Sequence, residues 1–156
     1  MERIVCVLIG YVFGLIQTGY LYGKTQHVDI RKQGSGNAGT TNALRTLGWK
    51  AGAVTFLGDC FKCVAAVVLV YFLFGRTDPE MFPVYAMYAG MGAVMGHNYP
   101  FYMNFKGGKG IAATAGLIVS TTNVWIVLIC LCVFLGIVAG TRYVSLGSLA
   151  VVIVYF

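Results

Sequence analysis

Long apolar runs alternate with short polar intervals along this chain, and the runs exceed what strands or amphipathic helices of a soluble domain require. Apolar residues dominate from about Ile4 to Gly23, from about Ala51 to Phe74, and from about Pro83 to Gly96, where the run continues into His97-Asn98-Tyr99-Pro100. A spanning helix needs ~20 mostly apolar residues, with a range of about 17–25. Between Ile111 and Ala139 the apolar stretch is too long for one span and barely long enough for two. A fourth span is expected to start near Gly110 and a fifth to end near Gly140, with Ser120-Thr121-Thr122-Asn123 as the turn, so at least one of the pair is short. A further run starts at Leu146 and is still apolar at Phe156. The pattern predicts an all-α integral membrane protein, a polytopic helical bundle with about five full spans plus a partial last one. Gly10/Gly14, Gly19/Gly23, Gly92/Gly96 and Gly136/Gly140 repeat a small-x-x-x-small spacing that lets helix backbones approach closely in lipid.

Composition supports the membrane. Of the 156 residues, 58% are hydrophobic and 10% charged, against about 25% charged in soluble domains. No cleavable leader is apparent, because the first run is long enough to span. The cysteines lie in apolar runs; Cys60 and Cys63 form a C-x-x-C without a second pair or a spaced histidine, so they read as small apolar residues and not as a metal or redox site. The net charge of +6 does not indicate nucleic acid, since no nucleic-acid motif accompanies it. It follows topology instead. Lys24, Arg31, Lys32, Arg45, Lys50, Lys106, Lys109 and Arg142 fall in three loops expected on one side, whereas Arg3 and Arg76 face the other, Arg76 beside Asp78 and Glu80. By the positive-inside rule the three loops face the cytoplasm and the N-terminus faces out. Within the second run, Asp59 and Lys62 share a helical face. Such a pair is either an internal salt bridge between helices or part of a site.

The polar intervals carry the candidate chemistry. In "KQGSGNAGTTNALR", residues 32 to 45, Gly34 and Gly36 bare the backbone, and Ser35, Asn37, Thr41 and Asn42 add neutral polar groups. Arg45 adds a planar fork suited to phosphate or carboxylate. Exposed N–H groups in such a loop form a concave anion site, and a short helix starting at Thr40 or Thr41 would aim its N-terminus at the same anion. "GHNYPFYMNFKGGKG", residues 96 to 110, repeats the ingredients in Lys106, Gly107, Gly108, Lys109 and Gly110, preceded by His97. It is not a nucleotide-hydrolysing P-loop, because G-x-x-x-x-G-K-[ST] never occurs. Two basic glycine loops on one face, with "TRYVSLGS" from Thr141 to Ser148, point to one site for more than one anion.

Together, "GSGNAGTTNALR", "GHNYPFYMNFKGGKG", "RYVSLGS" and the Asp59-x-x-Lys62 element resemble, in order along nearly the whole chain, the bacterial acyl-phosphate:glycerol-3-phosphate acyltransferase (PlsY) family. The resemblance implies one membrane-embedded acyltransferase domain over residues 1–156, in the cytoplasmic (inner) membrane of a bacterium. It implies transfer of a fatty acyl group from acyl phosphate to the 1-hydroxyl of glycerol 3-phosphate. The products would be lysophosphatidic acid and phosphate, the first step of phospholipid synthesis, with no cofactor and no metal. Ser35 and Arg45 then match residues needed for activity, Lys106 to Gly110 match the loop for the glycerol 3-phosphate phosphate, and Ser145 falls near the site. Family members continue through further spans to a third motif with a His and an Asn, which this sequence lacks, so it reads as C-terminally truncated.

Acyl phosphate is already activated. The site must therefore hold two anionic head groups together and stabilise the oxyanion. Ser35 is read as an orienting donor, with nucleophile as the alternative; His97 or a substrate phosphate takes the hydroxyl proton. A transporter or channel for small phosphorylated anions is the competing reading. Against it, polar groups cluster at the loops and not at mid-membrane. An inactive truncated fragment is the third.

Overall fold

The structure, a computed structural model, describes residues 1–155, and among these no strand forms. The helices are α1 (Glu2–Gly14), α2 (Thr18–Thr25), α3 (Thr40–Leu47), α4 (Trp49–Val70), α5 (Phe82–Asn98), α6 (Ile111–Thr121), α7 (Val124–Thr141) and α8 (Val144–Tyr155). A wider π turn over Tyr71–Gly75 prolongs α4. The continuation of α8 at Phe156 lies outside the described residues. The chain forms two compact units, Met1–Ser120 and Thr121–Phe156.

The first unit is built on α1, α4 and α5, with α1 and α5 paired along their lengths. The glycine spacing explains that pairing. A Cβ at Gly10 would strike the Ala89 carbonyl, one at Gly14 that of Ala93, one at Gly92 that of Val7, and one at Gly96 that of Tyr11. The obstacles are backbone atoms, so the two helices run as close as their main chains allow, which favours dispersion where lipid supplies no hydrophobic drive. Gly92→Leu should therefore destabilise this unit by about 3 kcal/mol or more, read as a lowered melting temperature in detergent; an unchanged melt would rule out the close pairing. Gly19 and Gly23 serve another purpose: they admit the Ala38 and Val28 carbonyls of the following loop. The α6 helix is short, 11 residues, and seats Gly116 on the Cys60 carbonyl of α4.

The two ends of the first unit differ in charge. At one end the Tyr85 hydroxyl donates to Glu2 Oε2 at 2.6 Å and lies 3.4 Å from Asp78 Oδ2. At the other end lie the loops 26–39 and 99–110 with their basic residues. On the sides, large apolar groups such as Leu8, Leu57 and Phe61 are exposed, the arrangement of a surface solvated by acyl chains. By length and composition, Glu2–Thr25, Trp49–Gly75 and Val124–Thr141 can cross a membrane, while α6 and α8 are shorter apolar helices. The α5 helix, at 17 residues, stands at the lower limit of a span. The short member expected of the fourth and fifth spans is α6, which ends at the polar turn over Ser120–Asn123.

In the second unit, Asn123 caps α7 by accepting from the Ile126 N–H at 3.1 Å. Arg142 ends that helix in the left-handed conformation, and α8 then packs on α7 with Gly147 against Val138 and Phe134. The Thr121 and Tyr155 hydroxyls lie 3.2 Å apart. Gly136 and Gly140 meet no described atom within 4 Å of an added Cβ, so their spacing joins no helices here.

Candidate active site

The first apolar run is not one helix. It breaks over Leu15, Ile16 and Gln17, which releases carbonyls that α1 cannot satisfy. In a membrane these need protein donors, and α4 and the 99–110 loop supply them. Lys62 Nζ donates to Gly14 O at 3.1 Å and Ile16 O at 2.5 Å. Tyr102 donates to Leu15 O at 2.6 Å, and Gln17 Nε2 donates to His97 O at 3.0 Å.

Lys62 is 3% exposed and Asp59 1%. They form a salt bridge of 2.9 Å, and the Thr18 hydroxyl at the start of α2 donates to the same carboxylate oxygen at 3.0 Å. This salt bridge runs within α4, between residues one turn apart, and does not join two helices. It extends further than the spacing shows: Lys62 Nζ lies 2.8 Å from Nδ1 of His97, itself 2% exposed. The other edge of that imidazole faces the second glycine loop, where a Cβ on Gly108 would collide with Nε2.

The loops condense around backbone contacts. Gly108 N donates to His97 O and Gly107 N to Asn98 O, each at 3.0 Å, folding the glycine stretch onto the end of α5. Asn37 Nδ2 donates to Gly107 O at 3.2 Å, which joins the first polar loop to the second. Asn42 holds the first loop in shape: its amide donates to Ile30 O at 2.8 Å and Gln33 O at 3.1 Å and accepts from Ser35 N at 2.9 Å. Being 2% exposed, Asn42 works here as scaffold. Gly34 and Gly36 have φ of +57° and +72°, the left-handed region that favours glycine. They turn the chain so that Ser35 is exposed and its hydroxyl has no partner among the described residues. Arg45 is likewise exposed, late in α3. Thr41 is half-buried in the first turn of α3, Lys106 and Lys109 are exposed, and Gly110, at φ +79°, immediately precedes α6. Ser145 lies exposed near the start of α8, in the second unit.

Arg31 is not free for an anion. It forms a two-pronged pair with Asp29, 2.9 Å from Nε to Oδ1 and 2.8 Å from Nη2 to Oδ2, with its guanidinium 4.4 Å from the Tyr20 ring centre. Hydrogen bonding from Arg31 holds the Asp29 carboxyl down at about 2. A depressed carboxyl stabilises the fold above its unfolded value and loses that effect as pH falls through the folded one. The stability gap between the native chain and Asp29→Asn should thus be level near neutrality and close between about pH 4 and pH 2. Melting curves across that range measure it.

Sequence reasoning did not single out Gln17, Thr18 or Tyr102. The first two were detectable as a polar pair inside an apolar run, whereas nothing in the local sequence ties Tyr102 to Leu15.

Against this geometry stand the relatives. The family described as glycerol-3-phosphate acyltransferase matches residues 4–156. A glycerol-3-phosphate acyltransferase of Thermoanaerobacter sp. (strain X514) is 43% identical over 150 residues, covering 96% of this chain and 72% of the relative. One of Clostridioides difficile (strain 630) is 46% identical over 150 residues, covering 93% and 71%. The crystal structure of PlsY (YgiH), an integral membrane glycerol 3-phosphate acyltransferase, in its glycerol 3-phosphate form superposes with a TM-score of 0.85 at 34% identity, over 99% of this chain and 74% of that one. Its lysophosphatidic acid form gives 0.81 at 33%. A matching family, a matching multi-pass membrane fold and two glycine loops joined by the Asn37–Gly107 hydrogen bond lead to one conclusion: this chain belongs to the glycerol-3-phosphate acyltransferase family.

Proposed function

We propose that this chain transfers a fatty acyl group from acyl phosphate to the 1-hydroxyl of glycerol 3-phosphate, releasing phosphate and lysophosphatidic acid, and that residues 1–156 act as one membrane-embedded acyltransferase domain. The observation that carries the reading is the Asn37–Gly107 hydrogen bond, which draws two basic, glycine-rich loops into one locus in a chain of this family. Two anionic head groups repel each other, and the positive charges of Arg45, Lys106 and Lys109 with the loop N–H groups offset that repulsion. The 1-hydroxyl oxygen forms the new ester bond to the acyl carbon while the bond from that carbon to the phosphate oxygen breaks. The hydroxyl proton passes to a phosphate oxygen. Ser35 orients an oxygen through its unpartnered hydroxyl, and His97 meets the same locus from beneath the second glycine loop. The orientation follows from charge: the basic loop end faces the cytoplasm of a bacterial cell and the Glu2–Asp78 end faces out.

The test is lysophosphatidic acid formation from labelled glycerol 3-phosphate in membranes containing the chain. Palmitoyl phosphate should support it and palmitoyl-CoA should not. Product from palmitoyl-CoA alone would discard acyl phosphate as donor. The broken first helix beside Asp59 and Lys62 is a feature of carriers, so the same vesicles should be checked for glycerol 3-phosphate flux. Flux without transfer would favour the transporter.

A further inference from the structure

We propose that Lys62 is a positioning residue for this reaction: by donating to Nδ1 of His97 it confines the imidazole proton to Nε2, so that His97 faces the glycine loop as a hydrogen-bond donor and not as a base. The kinetic part rests on the acyltransferase reading above. The tautomer itself does not.

The argument is one of donors and acceptors. The Gly14 and Ile16 carbonyls can only accept, and both are within reach of Lys62 Nζ. Asp59 is buried with Lys62 as its counter-charge at 2.9 Å, and an ion so placed needs that charge. Lys62 is therefore an ammonium, three N–H donors and no acceptor. An imidazole nitrogen 2.8 Å from it must be the lone-pair nitrogen, which places the proton on Nε2. The other candidate partner of Nδ1, Asp59 Oδ1, lies 3.6 Å away, beyond hydrogen-bond reach. Nε2 has no protein acceptor among the described residues and lies against Gly108, in the loop read as a phosphate cradle. A donor there suits a phosphate oxygen; a bare nitrogen lone pair would repel it. The break in the first helix contributes as well, because its carbonyls fix where the ammonium sits.

The direct test is ring-nitrogen NMR on full-length chain with labelled histidine in lipid nanodiscs. His27→Gln, at an exposed position, removes the only other histidine of the 2. The expected spectrum has a lone-pair shift at Nδ1 and an N–H shift at Nε2. The reverse assignment, or two N–H shifts, overturns the proposal whether or not the chain is active. The kinetic test sets Lys62→Met in two backgrounds. With His97 present, kcat should fall about 10²-fold, the scale of a misplaced catalytic group. With His97→Gln, whose amide nitrogen stays a donor without help, the further loss should be within about twofold. An equal loss in both backgrounds would reduce Lys62 to a helix staple and overturn the positioning role. If Lys62→Met does not fold, the spectrum of the otherwise native chain decides alone.

Discussion

Arg45→Ala is expected to reduce acyl transfer by about 10²–10³-fold or to background, with insertion and melting temperature unchanged. Ser35→Ala should behave the same way. Both side chains are exposed and neither reaches a partner among the described residues, so removing them costs the fold little. The proposed reaction, in contrast, would bring two phosphates together, and a guanidinium at that point would be worth most where the charge is greatest. Initial rates at saturating glycerol 3-phosphate and palmitoyl phosphate measure the effect. Rates within a few-fold of native in either variant would remove that residue from the site. Lys106 and Lys109 offer a graded comparison, since a flexible ammonium substitutes for its neighbour more readily than a fork does.

Asp59→Ala should have the largest effect on stability, a loss of about 3–5 kcal/mol. It leaves the Lys62 ammonium buried with no counter-charge, in a chain whose surroundings are lipid and close-packed glycine helices. Thr18 loses its acceptor at the same time. Asp59→Asn should lose less, because the Thr18 hydrogen bond survives. Thermal unfolding in detergent, followed by a thiol-reactive dye, would read the difference. Cys6 and Cys63 are fully buried and free, so they report opening of the first unit. Melting of Asp59→Ala at the native temperature would mean that Lys62 finds its charge balance elsewhere.

Much of this protein is legible from local chemistry. The apolar run lengths determined an all-helical membrane fold, since only helices satisfy their own backbone in lipid at that length. The turn at Ser120–Asn123, the helix beginning at Thr40 and the pairing role of Gly10, Gly14, Gly92 and Gly96 also follow from residue type and spacing. So does the candidate site, because a glycine-rich basic stretch is conspicuous in a chain that is otherwise apolar. Tertiary structure alone decided the rest. The first run scores as one continuous span, yet it breaks at Leu15–Gln17, because whether freed carbonyls are tolerable depends on donors brought from 46 to 87 residues away. The role of Asn42 changed for the same reason: its composition suits a ligand, but its amide is occupied by carbonyls that only the folded loop brings near. His97 is the sharpest case. A histidine is a donor or an acceptor according to its neighbour, and that neighbour, Lys62, stands 35 residues away on another helix.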